Sequence, residues 1–436
     1  MAMLCAESFK RRIFFQTMKR FAAFIVLFGG LVSLGNSSSI AADASAVMAA
    51  MNVINAEDAQ QYINVLAGDA FEGRETGTRG GRAAGAYLGT QFQQFKLRGG
   101  AADKGYYQPF GDNSRNILGW IEGSDPELKK QYVMVTAHYD HVGYGNRRTS
   151  LGGIGQIHNG ADDNASGDAG VLETIRAFEE LPQPPKRSMM FALWDGEEEG
   201  LLGSKYWIAH PTVPLSDVAA CVNVDMIGRL RNNHVIVYGD RSGYGWRQLL
   251  SRDNDLTELG LDFDWTLKAD SDHHPFITAG IPTIMLHTGL HEDYHRPSDK
   301  PEKINSAGLQ SVARLLFRMA LELADEDERP KFRAAVYNES PATETTVEHL
   351  EPALAPRLGL TWDESKAKDG VVEVATVTDG SAAAKAGFKM GDKIVEYAGK
   401  AVDDGQKFRL MVMATRGIVT TKVERTGSDA PLELKV

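Results

Sequence analysis

Short apolar runs alternate along this chain with stretches of helical periodicity, and acidic or histidine residues stand just beyond several of the runs. Residues 132–137, 187–194, 222–224, 234–238 and 282–286 read as strands. Between and after them, 170–181 carries Val171, Leu172, Ile175 and Phe178 on one side of a helix, and 307–323 closes the region as another. Upstream, 43–70 reads as an Ala-rich helical lead-in, and 83–95 as a helix with Tyr87, Leu88, Phe92 and Phe95 at helical spacing. Such alternation predicts an α/β fold, a mostly parallel twisted sheet flanked by helices on both faces. Open sheets of this kind build their sites at the carboxyl ends of strands. His138, Glu197 and Asp225 each stand at such an end.

The chain has 436 residues, enough for two or three domains, and its 43% hydrophobic and 24% charged residues are ordinary for a globular protein. Residues 1–42 differ. Lys10, Arg11, Arg12, Lys19 and Arg20 precede the apolar run 21–34, and small residues follow up to Ala42, the pattern of a secretory signal peptide cleaved near that residue. The run is short for a membrane-spanning helix, so an uncleaved anchor is the alternative and no stable membrane insertion is expected after cleavage. Without residues 1–42, which hold five basic residues and Glu7, the net charge moves from −11 to about −15. That balance argues against nucleic-acid binding. Of the two cysteines, Cys5 leaves with the leader. Cys221, alone in the apolar run 219–225, reads as buried filler. An exported chain with a periplasmic or extracellular address is expected.

Residues 325–352 are polar and turn-rich and read as a linker between a domain at 43–324 and a small β-rich module at 353–436. The loop Gly73-Arg74-Glu75-Thr76-Gly77-Thr78-Arg79-Gly80-Gly81 lacks the Gly-Lys-Ser/Thr ending of a phosphate loop.

His138-Tyr139-Asp140 follows a strand directly, and Asp140 is placed to orient His138. Alone, the pair would read as a surface loop; His141 and His158 have no such companions. Asp162-Asp163-Asn164-Ala165-Ser166-Gly167 opens a helix and could serve as a turn and cap. Three glutamates, Glu197-Glu198-Glu199, at the end of an apolar strand are costly to desolvate and need partners. One could bind metal while its neighbour handles protons. With Asp225 and His295 the set offers two imidazoles and several carboxylates, enough for two divalent cations.

These motifs resemble those of the M28 family of metallopeptidases, over residues 57–323. The carrying segments are 160–167, Trp194-Asp195-Gly196-Glu197-Glu198-Glu199-Gly200-Leu201-Leu202-Gly203-Ser204 and Tyr294-His295-Arg296-Pro297-Ser298-Asp299. The resemblance implies a zinc-exopeptidase fold, peptide substrates and two Zn2+ per chain held by His138, Asp163, Glu198, Asp225 and His295. Asp163 would bridge the pair; it stands three residues before Ser166-Gly167, as the bridging carboxylate does in the family. Glu197 would be the general base, Asp140 the support of His138, and Tyr294 a donor to the oxyanion. The resemblance further implies a cis peptide between Asp163 and Asn164. Ser271-Asp272-His273-His274-Pro275-Phe276 matches a family segment near the pocket and is not assigned to metal.

Arg357-Leu358-Gly359-Leu360, the segment 380–395 and Gly399-Lys400-Ala401-Val402 resemble a PDZ domain of the bacterial protease type. The Leu-Gly-Leu stretch matches the loop whose amides capture a peptide C-terminus; a module that only packs on its neighbour is the alternative. The expected activity is that of an aminopeptidase. A carboxypeptidase or a glutaminyl cyclase of the same fold is the alternative, and a non-catalytic binding protein the alternative of another class.

Overall fold

The computed structural model describes residues 44–348, 358–368, 370–415, 418–428 and 430–436. The expected leader, residues 1–42, lies outside them, as does the end of the expected linker. Two helices lead in, α1 (Ala44–Val53) and α2 (Ala56–Leu66), the second capped by Asn55, whose side chain accepts the N–H groups of Glu57 and Asp58. Helix α3 (Arg79–Gln94) starts earlier than its apolar stripe because Thr78 caps it through the N–H of Gly81. Next come β1 (Arg98–Gly99), β2 (Tyr107–Phe110), β3 (Ser114–Ile121), β4 (Tyr132–His138), α4 (Gly167–Glu180) and β5 (Ser188–Trp194). Then follow α5 (Leu202–Ala209), β6 (Val218–Val224), β7 (His234–Tyr238), α6 (Trp246–Asp253), β8 (Gly260–Asp264), α7 (His273–Thr278), β9 (Thr283–His287) and α8 (Ser306–Asp325).

These strands form one sheet in the order β1-β3-β5-β4-β6-β9-β7-β8, with β2 added on β3. The centre, β5-β4-β6-β9, is parallel, as is β7 with β8. The β1–β3 ribbon and the β7–β9 pair are antiparallel, so the sheet is mixed towards its edges. Period-two alternation sends the central side chains to two cores. Val133, Val135, Phe191, Val222 and Ile284 meet α4 and α8, where Phe178 packs between Phe191 and Phe317. Met134, Met190, Trp194 and Cys221 meet Trp207 of α5 and Phe276 of α7. Burying side chains of this size stabilises by about 1.5–3 kcal/mol each. Cys221 is free and buried, and burial pushes its thiol up, as befits filler.

Beyond α8 the chain packs back on this sheet instead of leaving it. Phe332 bridges to Gly243, the Tyr337 hydroxyl donates to Ile277 O at 2.7 Å, and Arg241 and Arg333 both clamp Glu339. The expected linker is therefore ordered against the α/β sheet over part of its length. Its polar composition gave no sign of this, because Arg241 stands 98 residues away in sequence.

Helix α9 (Pro341–Glu348) precedes a second sheet. Its elements are β10 (Leu360–Trp362), α10 (Glu364–Lys368), β11 (Val372–Val377), α11 (Ala382–Ala386), β12 (Lys393–Tyr397), β13 (Lys400–Ala401), α12 (Gly405–Ala414), β14 (Thr420–Glu424) and β15 (Leu432–Lys435). The order β10-β11-β12-β14-β15, with β13 on β12, is antiparallel throughout and closes over Leu360, Val374, Ile394, Tyr397, Phe408 and Val423. Among the described residues, β10 pairs only with β11 and is an edge strand. No helix among the described residues is long and apolar enough to cross a membrane.

Candidate metal centre

The order of the central strands decides where the site lies. From β4 the chain moves to β5 on one side and then to β6 on the other, which opens a crevice outside the carboxyl ends of the strands. His138 ends β4, Glu197 and Glu198 follow β5, Asp225 follows β6, and the loop after β9 carries Tyr294 and His295. Asp163 comes from the turn ahead of α4, where its peptide bond to Asn164 is cis.

Two donor groups meet on Asp163. His138 Nε2 lies 3.4 Å from Asp163 Oδ1 and 3.5 Å from Asp225 Oδ1. His295 Nε2 lies 3.0 Å from Asp163 Oδ2 and 3.0 Å from Glu198 Oε2. Each oxygen of Asp163 thus faces a different group. His141 joins the second group, its Nδ1 2.8 Å from Glu198 Oε1. Asp162 faces elsewhere. Its Oδ1 accepts from the N–H of Gly228 and the hydroxyl of Ser166, and its Oδ2 meets His291 Nε2 at 3.1 Å.

Hydrogen bonds behind the cluster aim its members. His295 Nδ1 donates to Thr149 O at 2.6 Å, and His138 Nδ1 meets Asp140 O at 3.3 Å, so both Nε2 atoms are free to face inward. The Asp140 carboxylate is 3.6 Å from His138 Nδ1 but accepts the N–H groups of Glu197 and Glu198 at 3.0 and 3.3 Å. Its main hold is on the two glutamates, a role that the His-x-Asp spacing did not reveal. Asp299 accepts the N–H groups of Asp162 and Asp163. Gly160 is needed at φ +58°, since a Cβ there would come within 2.2 Å of Asp163 O.

The charges are interdependent. Burial pushes the Asp163 carboxyl up, but its imidazole neighbours His138 and His295 outweigh it and hold it well below the usual range. Burial lowers His295, yet Asp163 and Glu198 push it up to about 11; His138 is raised well above its ordinary value against its burial by Glu197 and Asp225. Glu197 moves the other way: burial, Glu198, Asp272 and Asp225 raise it well above an ordinary carboxyl. Burial and the surrounding carboxylates also raise the Tyr294 phenol, so it keeps its hydrogen; its ring stacks on His295 with centroids 3.9 Å apart. Four carboxylates packed around a few imidazoles call for added positive charge. Buried Asp225 Oδ1 has no hydrogen-bond partner, and the nitrogen and oxygen donors suit a divalent cation such as zinc.

Residues 116–320 match the model of peptidase family M28, and residues 373–425 that of the PDZ domain. Over residues 116–320 the chain is thus similar to peptidase family M28. Aminopeptidase YwaD of Bacillus subtilis is 29% identical over 230 residues, 50% of this chain and 46% of that protein. Leupeptin-inactivating enzyme 1 of Streptomyces exfoliatus is 31% identical over 207 residues, 47% of this chain and 42% of that protein. The chain spans about half the length of the curated relatives it matches. Among solved structures, the LapA aminopeptidase of Legionella pneumophila superposes with a TM-score of 0.55 at 22% identity, over 65% of this chain and 76% of that one. A glutaminyl cyclase of Porphyromonas gingivalis superposes at 0.50 and 21%, over 61% and 97%. These likenesses show the fold alone, and it is common to an aminopeptidase and a glutaminyl cyclase.

Two residues around this site carried no signal in sequence. His141 had no visible companion, because Glu198 is 57 positions away. Arg74 sat in a Gly-rich loop without a known motif. It is fully buried and donates to the carbonyls of Leu66, Tyr139, Asn159 and Gly160.

Proposed function

We propose that this chain is an aminopeptidase that uses two divalent cations, zinc by preference, to hydrolyse the N-terminal bond of peptides. The observation that carries the reading is the pair of donor groups joined by the two oxygens of Asp163, with Glu197 near enough to His138 for its charge to act on that ring. His138, Asp163 and Asp225 would hold one cation, and Asp163, Glu198 and His295 the other. When bound, such a pair lowers the pKa of water and stabilises negative charge on a carbonyl oxygen. Glu197, whose backbone is held by Asp140 next to Glu198, would take the proton of the attacking water and return it to the leaving amine. Tyr294, which keeps its phenolic hydrogen, donates to the developing oxyanion. The Asp140 carboxylate keeps Glu197 in register through its backbone N–H. The acidic surround favours a substrate with a free α-ammonium.

Two donor groups support this reading over a glutaminyl cyclase, which typically works with a single zinc. The PDZ domain adds an edge strand at β10 beside Gly359, suited to a peptide C-terminus. Export rests on the leader composition of residues 1–42. The test is hydrolysis of aminoacyl-nitroanilides and their N-acetylated forms, before and after chelation. Cleavage of free-amine substrates alone, abolished by chelator and restored by zinc, is expected. No cleavage by a chain carrying two zincs would sink the aminopeptidase reading, and acidic C-terminal dipeptides would be tried next.

A further inference from the structure

We infer that His141 is a positioning residue of this centre: its Nδ1–H holds one oxygen of Glu198 so that the other turns towards Asp163 and His295. The inference rests on the two-cation reading above. The Glu198 carboxylate is divided between two imidazoles, with Oε2 3.0 Å from His295 Nε2 and Oε1 2.8 Å from His141 Nδ1. An ionised carboxylate only accepts, so the hydrogen of that contact lies on His141 Nδ1. On the far side of the ring the buried Nε2 has no hydrogen-bond partner among the described residues. The opposite tautomer would strand a buried N–H, the costlier orphan.

The ring is held in place. A Cβ on Gly160 would lie 2.6 Å from it, so only glycine leaves it room there. On its other side it meets His295 edge-on, with centroids 5.5 Å apart at 80°. Asp163 Oδ2 is 3.7 Å from Nδ1, beyond hydrogen-bond distance, so the ring serves Glu198 and not the shared aspartate. Among the described residues, the Asp163–Glu198–His295 group has such a side chain. In the His138–Asp163–Asp225 group, by contrast, Asp225 Oδ1 has no hydrogen-bond partner among the described residues. The two cation positions are therefore unequal, and His141 strengthens one of them.

The test is a competition titration of the full chain with Zn2+ against a chromophoric chelator, with visible absorption of the Co2+-loaded protein as a second readout. His141→Phe keeps the ring and removes the N–H, whereas His141→Asn keeps a donor close to the Nδ1 position. His141→Phe is expected to weaken one of two cation affinities by about 10- to 100-fold and leave the other within about twofold, while His141→Asn stays within about threefold of the native chain. The Co2+ bands of the weakened position should shift in the Phe variant only. Unchanged affinities in His141→Phe would overturn the inference. Equal loss in both variants would overturn it too, pointing to direct ligation. A native chain that takes up fewer than two cations would refute the two-cation reading itself, whatever the variants do.

Discussion

Replacing Arg74 with methionine should cost this protein much of its stability, although Arg74 touches no substrate in the proposed reaction. Its Nε donates to Tyr139 O at 2.8 Å, Nη1 to Leu66 O at 2.9 Å and Asn159 O at 2.6 Å, and Nη2 to Gly160 O at 2.9 Å. A fifth, longer contact reaches Asp163 O at 3.5 Å. Methionine fills the volume of the stem and leaves the carbonyls without donors. An orphaned buried acceptor costs about 1–3 kcal/mol, so four give a gross loss of about 4–12 kcal/mol. Water entering the vacated space and relief from burying a cation offset part of it, leaving about 3–5 kcal/mol. For a domain of this size that is a fall in Tm of roughly 10 °C. Lysine, with a point charge in place of a planar fork, should recover less than half of it. The assay is thermal unfolding followed by circular dichroism, in zinc and in chelator, with zinc content measured in parallel. The carbonyls belong to the end of α2, the exit of β4 and the turn before Asp163, so zinc affinity should fall as well. A methionine variant melting within about 2 °C of the native chain in both conditions would refute the reasoning.

Three further outcomes are expected. Glu197→Gln should lower kcat by about 10²–10⁴ while metal content stays that of the native chain; turnover near the native rate would end its proposed role as base. Burial, only partly offset by Arg318 and Arg252, pushes Asp253 up to about 6 from 3.8. A carboxyl raised on folding contributes stability below its unfolded pKa that is lost as pH climbs through the folded one, here between about pH 4 and 6. Asp253→Asn should flatten that fall and raise stability at pH 7.5 by about 1–3 kcal/mol, read by urea unfolding at pH 5 and 7.5; matching profiles for the two proteins would exclude it. Removing residues 350–436 should spare hydrolysis of a short aminoacyl substrate, because the cut falls beyond Glu339 and its clamp. Collapse of that activity would make the second module part of the catalytic fold.

Much of the site was legible because its chemistry is written locally. A strand such as β4 or β6 is a run of buried residues, and a charged residue at its end, His138 or Asp225, stands out against that run. The turn 160–167 and the Glu197–Glu198 pair are local in the same way. Edge elements were not legible. The two-residue β1, the four-residue β2 and the half-exposed β8 lack a periodic apolar signal, since their pairing depends on distant neighbours.

By itself, the sequence determined which elements alternate, that the sheet is mostly parallel and which acidic and histidine residues end its strands, because periodicity acts over a few neighbouring residues. Only the tertiary structure decided how those residues meet. It turned the two oxygens of Asp163 to different imidazoles while engaging Asp162 with Gly228 and His291. It set Asp140 beneath the backbone of both glutamates, drew His141 to Glu198, and sent Arg74 into a ring of carbonyls. These are contacts between residues tens of positions apart, and their strength lies in direction and in removal from water. Neither exists until the sheet has closed and the loops at its carboxyl edge have packed together.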